Sequence, residues 1–202
     1  MDNVKSASDR FFRLYYKHCV QPDLDTLFNL LNATHSLNDR LNKSIKVNFF
    51  DCKEFIALKS LRNLFHHKEE LLNELRIIPV EDLPPITTDL LFLCLVPASL
   101  IENAIEQIEK KYRETEKPII RSVLGWYGEV VNINPCIFNF AVKVYEKLSE
   151  TDVKLDSDEF KVFRESYIFE TENGYSHYIS GEIGCHASSV NEVIKKAFDK
   201  VV

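Results

Sequence analysis

Apolar residues in the first third of the chain recur at three- and four-residue steps, the spacing of one helix face. Phe11, Phe12, Leu14, Tyr15 and Tyr16 give residues 8–20 a broad apolar face, and Pro22 stops the helix. Asp23 or Asp25 is placed to cap a second helix reaching about residue 43. Its stripe is Leu24, Leu27, Leu30, Leu31, Thr34, Leu37 and Leu41, with His35, Asn38 and Asp39 on or beside the polar margin. Asp51 opens a third segment reaching about residue 75, marked by Phe55, Leu58, Leu61, Leu64, Phe65, Leu71, Leu72 and Leu75.

Residues 76–88 contain Pro79, Pro84 and Pro85 and read as a loop or linker. The apolar run 90–96 fits a buried strand or a helix. Helix is favoured because residues 99–113 continue with helical spacing through Ile101, Ile105 and Ile108, with Pro97 beginning or kinking it. Pro118 is placed to open a helix over 119–131, and Pro135 one over 136–148. Asp156-Ser157-Asp158-Glu159 forms a cap before a helix over 160–169, and Asn173-Gly174 signals a turn. Residues 175–183 suit a small hairpin or a loop, and Ser188 or Ser189 caps a last helix over 190–201. The pattern predicts a mainly all-α chain: a helical core over 1–75 and additional helices over 76–202, in one continuous domain or packed as an addition.

Composition supports a packed globular chain, since 45% of its 202 residues are hydrophobic. Only five glycines and seven prolines punctuate it, which favours helices over a sandwich of short strands. A net charge of -6 argues against a general nucleic-acid coat, so contact with RNA requires a local basic patch, completed in one reading by a second subunit. The five cysteines, Cys19, Cys52, Cys94, Cys136 and Cys185, are widely spaced, with no Cys-x-x-Cys pair. Reduced thiols in a cytoplasmic protein fit better than a disulfide frame or zinc site. The polar N-terminus and the short 90–98 apolar run indicate neither a signal region nor a membrane span.

Chemistry concentrates in Arg62-Asn63-Leu64-Phe65-His66-His67. A guanidinium can clamp a phosphate through two hydrogen bonds, and an imidazole can move a proton near neutral pH. On a helix Arg62 and His66 share a face, whereas His67 stands about 140° round from Arg62. His67 reaches Arg62 if the helix ends or unwinds there, or if two molecules pack across this face. Asn63 can orient either a phosphate or an imidazole.

Arg62-Asn63-x-x-x-His67 resembles the Arg-(four to six residues)-His motif of the HEPN family, in which a polar residue commonly follows the arginine. The polar cluster His35-x-x-Asn38-Asp39 resembles one on an earlier helix of some members. The resemblance spans roughly residues 8–75. It implies a HEPN-like helical bundle, here with additional C-terminal helices, that dimerises so two motifs face one cleft. It further implies a metal-independent endoribonuclease of the toxin–antitoxin or antiviral kind, leaving a 2',3'-cyclic phosphate and a 5'-hydroxyl. Arg62 and His67 would be catalytic, with Asn63, His66, Asp39 and His35 in support. No cofactor or metal is called for. The partners would be RNA, a second copy and an antitoxin or other regulatory protein.

Two plainer readings compete. Arg62 can lie on a solvated face paired to Glu69 or Asp39, or the chain can be a non-catalytic HEPN-like dimerisation or binding module. Elsewhere, His177 and His186 near Cys185 lack regular metal-ligand spacing, and Phe160, Phe163, Tyr167 and Phe169 read as core or dimer interface rather than a base-stacking platform.

Overall fold

The computed structural model describes residues 2–198. Helix α1 (Asp2–Val20) begins earlier than the spacing predicts. Its first turns are useful to the fold, because Val4 is fully buried and Lys5 Nζ donates to Asp156 at 2.9 Å. Helix α2 (Leu24–Ile45) starts at Asp23, whose carboxylate accepts from Thr26 N at 2.6 Å while the Thr26 hydroxyl accepts from Asp23 N. It stops at Lys46, which takes a left-handed backbone with φ 60°.

Helix α3 (Lys53–His67) is shorter than expected. Lys68 leaves helical geometry at φ -143°, and Glu69–Glu74 continues as a 3-10 helix. That tighter path still carries Leu72 and Leu75 into the core.

The chain is mainly helical, as expected, but its middle adds small antiparallel sheets where helices or a linker were predicted. Residues 76–88 are not simply a linker: they contain strand β1 (Arg76–Pro79), a 3-10 turn and strand β2 (Ile86–Thr87). The 90–96 run, expected as helix, is strand β3 (Phe92–Pro97). Helix α4 (Ala98–Glu106) follows directly. It does not run on to residue 113, because the chain breaks before α5 (Lys110–Ser122). The Arg113 guanidinium folds back to donate to the carbonyls of Glu106 and Ile108, which serve as the capping acceptors at this break. Pro118 lies inside α5 rather than opening a helix. Of the expected 119–131 helix, residues 119–122 are the end of α5, and the rest is replaced by strands β4 (Gly125–Tyr127) and β5 (Val130–Asn132), joined through Gly128 at φ +64°.

These strands form an antiparallel sheet in the order β1-β3-β5-β4, with Ile77 opposite Cys94 and Val96 opposite Val131. Both faces of β3 are covered. Phe92, Cys94 and Val96 join the main core, while Leu93 and Leu95 join a smaller cluster with Leu90, Val130 and Ala197. A strand buried on both sides shows no polar alternation, which is why its sequence resembles a buried helix. Pro79 is accommodated because β1 is an edge strand.

Helix α6 (Asn134–Ser149) has Pro135 in its first turn, as the sequence predicts. Helix α7 (Asp158–Asn173) is capped by Ser157, whose hydroxyl accepts from Phe160 N, and it closes at Gly174 with φ 70°. Residues 175–183 form no hairpin. They cross α6 as an irregular strap, with Asn139 exchanging two hydrogen bonds of 3.0 Å with the Ile179 backbone. Gly181 permits this crossing: its φ is +70°, and a Cβ there would lie 2.2 Å from Pro135. Strand β6 (Gly184–Cys185) then pairs with β2. Helix α8 (Val190–Val193) passes into a π-helical turn, Ile194–Phe198. Residues 199–201 of the expected last helix lie outside the described residues.

The main core draws on both parts of the chain. The Phe140 ring of α6 meets Phe11, Phe49 and Phe55 at centroid distances of 5.8, 5.2 and 5.8 Å. Residues 1–75 therefore bury their apolar face partly against residues 76–202.

Candidate anion-binding cleft

The buried stripes of α2 and α3, with Leu30, Leu37 and Leu41 on one and Leu58, Leu61 and Leu64 on the other, press the two helices together. Their polar margins consequently open on one cleft. It has a volume of about 510 Å³ and is lined by Arg10 of α1, by Asn32, His35, Ser36, Asp39, Arg40 and Lys43 of α2, and by Arg62 of α3.

Arg62 is half-buried and oriented by amides. Its Nε donates to Asn32 Oδ1 at 3.1 Å, and its Nη1 donates to Asn63 Oδ1 at 3.3 Å. Neither bond neutralises the guanidinium. Among the described residues Arg62 makes no ion pair with Asp39, whose carboxylate instead meets His35 Nδ1 at 3.3 Å. The side chain of Glu69, the other expected partner, lies outside the described residues. Arg10, Arg40 and Lys43 likewise form no ion pair among the described residues.

His35 stands within this positive field. Burial lowers its pKa; Asp39 opposes the change, while the Arg62, Lys59 and His66 charges reinforce it. At neutral pH the ring is accordingly biased toward its uncharged form, which can accept a proton. The cleft thus combines excess positive charge, a fixed guanidinium and an imidazole biased toward its uncharged form.

Of the sequence candidates, Arg62, His35 and Asp39 line the cleft; Asn63 accepts from Arg62 without lining it, and His66, also outside the lining, acts on His35 electrostatically. His67 is different. It is the exposed last residue of α3, with its ring 5.5 Å from that of His66, and it does not line the cleft of its own chain.

Arg10, Asn32, Ser36, Arg40 and Lys43 line the cleft without belonging to either sequence motif. A signal existed on α2, because residues 32, 35, 36, 39 and 43 recur at helical steps beside its apolar stripe. Arg10 had none: only the packing of α1 against α2 places it there.

Elsewhere, His177 is held by Glu170 at 2.7 Å and stacks on Tyr167, while His186 meets the Ser188 hydroxyl. Burial pushes the Cys19 thiol up to about 11 and those of Cys52 and Cys94 up to about 12, so none is an activated nucleophile near neutral pH. Among the described residues no helix is long and apolar enough to cross a membrane.

No family model, curated protein or solved structure matches this chain.

Proposed function

We propose that this chain is a metal-independent endoribonuclease of HEPN type, acting in the cytoplasm as a homodimer and held in check by a regulatory protein of the antitoxin kind. The observation that carries the reading is the convergence of Arg10, Arg40, Lys43 and Arg62, without ion-pair partners among the described residues, around the His35 imidazole in a chain of net charge -6. Such a cleft suits a phosphodiester backbone.

In the proposed reaction the substrate's 2'-oxygen attacks the adjacent phosphorus and its proton passes to an imidazole. The new bond joins phosphorus to the 2'-oxygen, and the bond from phosphorus to the 5'-oxygen breaks. The departing oxygen takes a proton, leaving a 2',3'-cyclic phosphate and a 5'-hydroxyl. Arg62 stabilises charge on the phosphorane-like transition state. The motif resemblance assigns proton transfer to His67. Because His67 stands outside the cleft of its own chain, the dimer reading brings it from the second copy, while His35 is the imidazole already in the cleft.

The test is cleavage of a mixed RNA pool by the purified protein in EDTA, beside Arg62→Ala and His67→Ala proteins with matched thermal melts. Cleavage by the wild type alone, with cyclic-phosphate ends, is expected. Cleavage that persists in both variants would sink the assignment.

A binding module that holds RNA without cutting it is the second reading. The position of His67 outside the cleft of its own chain favours it. It predicts RNA binding that weakens in Arg62→Ala, with no cleavage by any form.

A further inference from the structure

A second cavity, separate from the Arg62 cleft, lies among α1, α6, α7 and residues 89–92, and has a volume of about 310 Å³. Its wall is largely apolar, and six aromatic side chains contribute to it: Tyr15, Tyr16, Phe92, Phe138, Phe163 and Tyr167. Every acidic or basic side chain that lines it is a carboxylate: Asp89, Glu159 and Glu170 are present, with no lysine, arginine or histidine.

Asp89, Glu159, Glu170 and Asn134 supply acceptors, beside hydroxyl donors of which Ser166 is engaged by Val162 O and Tyr167 by Glu146. Asp89 is fixed by the backbone N–H groups of Ser180 and Gly181, at 2.7 and 2.9 Å. Glu170 is fixed by His177. Glu159 has no partner among the described residues and remains available. Asn134 is nine-tenths buried in the wall. Its side-chain nitrogen donates to Phe92 O at 2.8 Å, but its side-chain oxygen has no donor among the described residues. A neutral apolar guest would leave that acceptor unmet, and an anionic guest would face the carboxylates. Aromatic faces with carboxylates around them attract a cation.

We propose that this cavity binds a small organic ammonium compound with an aromatic or alkyl body. The body fills the aromatic chamber, and the ammonium group meets Glu159 or the Asn134 oxygen. The volume suits one compact molecule. The inference is independent of the ribonuclease reading.

Isothermal titration of the full chain with 2-phenylethylamine, 2-phenylethanol and phenylacetate tests it. The three probes share a phenyl group and differ in charge. Saturable one-to-one binding of the amine in the millimolar range or tighter is expected, roughly tenfold weaker for the alcohol and weaker again for the acid. Glu159→Gln should reduce the amine's advantage over the alcohol. Val162→Trp, which fills the cavity from a half-exposed position, should abolish binding while retaining the wild-type melting temperature. Arg62→Ala should bind the amine normally. Equal affinity for amine and alcohol would overturn the charge assignment, and amine binding unchanged by Val162→Trp would overturn the site. Absence of saturable amine binding would overturn the proposal.

Discussion

Asn32 on α2 accepts a 3.1 Å hydrogen bond from Arg62 Nε on α3, across a sequence separation of thirty residues. A neutral amide at this point orients the guanidinium and leaves its charge for a ligand, which a carboxylate would not do. Asn32 is therefore a positioning residue in the proposed site. Asn32→Ala is expected to lower kcat by roughly tenfold through loss of alignment, with a smaller change in KM. Asn32→Asp should instead raise KM by neutralising Arg62. Steady-state RNA cleavage separates the two effects, and identical behaviour of both variants would count against this role.

His67 stands outside the cleft that holds Arg62 of the same chain. If the active site is completed across a dimer, inactive Arg62→Ala and inactive His67→Ala proteins should restore activity when mixed. Random exchange of subunits predicts roughly a quarter of wild-type activity, because half the dimers are mixed and each contains one intact site. Failure to complement after demonstrated subunit exchange would place proton transfer within one chain and direct attention to His35.

His18 is fully buried, with its Nδ1 against the Thr26 hydroxyl at 2.9 Å and its ring edge-on to Phe92. Burial lowers its pKa from 6.5 to about 4. Between these values the unfolded chain holds a proton that the folded chain does not. Stability should therefore fall as pH drops through this window, with no further loss from this group below it. The full loss is at most about 3 kcal/mol. Urea unfolding at a series of pH values should show that slope, and His18→Leu should remove it.

Phe140 packs one ring from the later part of the chain against three from the first 75 residues. Phe140→Ala should cost about 3–5 kcal/mol. Near- and far-ultraviolet circular dichroism should report coincident melting in both wild type and variant. Separate transitions would show that residues 1–75 fold independently.

Sequence alone determined the elements whose signals are local. The capped α2, the apolar stripe of α3, Pro135 opening α6, the cap before α7 and the Asn173-Gly174 turn after it were legible because each depends on residues within a turn or two, although α7 runs on to Asn173 rather than stopping at residue 169. Arg62, Asn63, His35 and Asp39 were legible as candidates, but Asp39 was expected beside Arg62 and instead meets His35.

Tertiary structure decided what depends on distant partners. Strand β3 has the composition of a buried helix, and only pairing with β1 and β5 between two apolar clusters makes it a strand. Pro118 fits within α5, where a local rule placed it at a helix start. Arg10 enters the cleft because α1 packs against α2, whereas His67 is still helical at the end of α3 and keeps the position about 140° round from Arg62 that helical spacing gives it. Helical periodicity orders residues around one axis but carries no information about where neighbouring axes cross. That crossing, set by burial of the shared core, selects the polar residues that meet in the cleft.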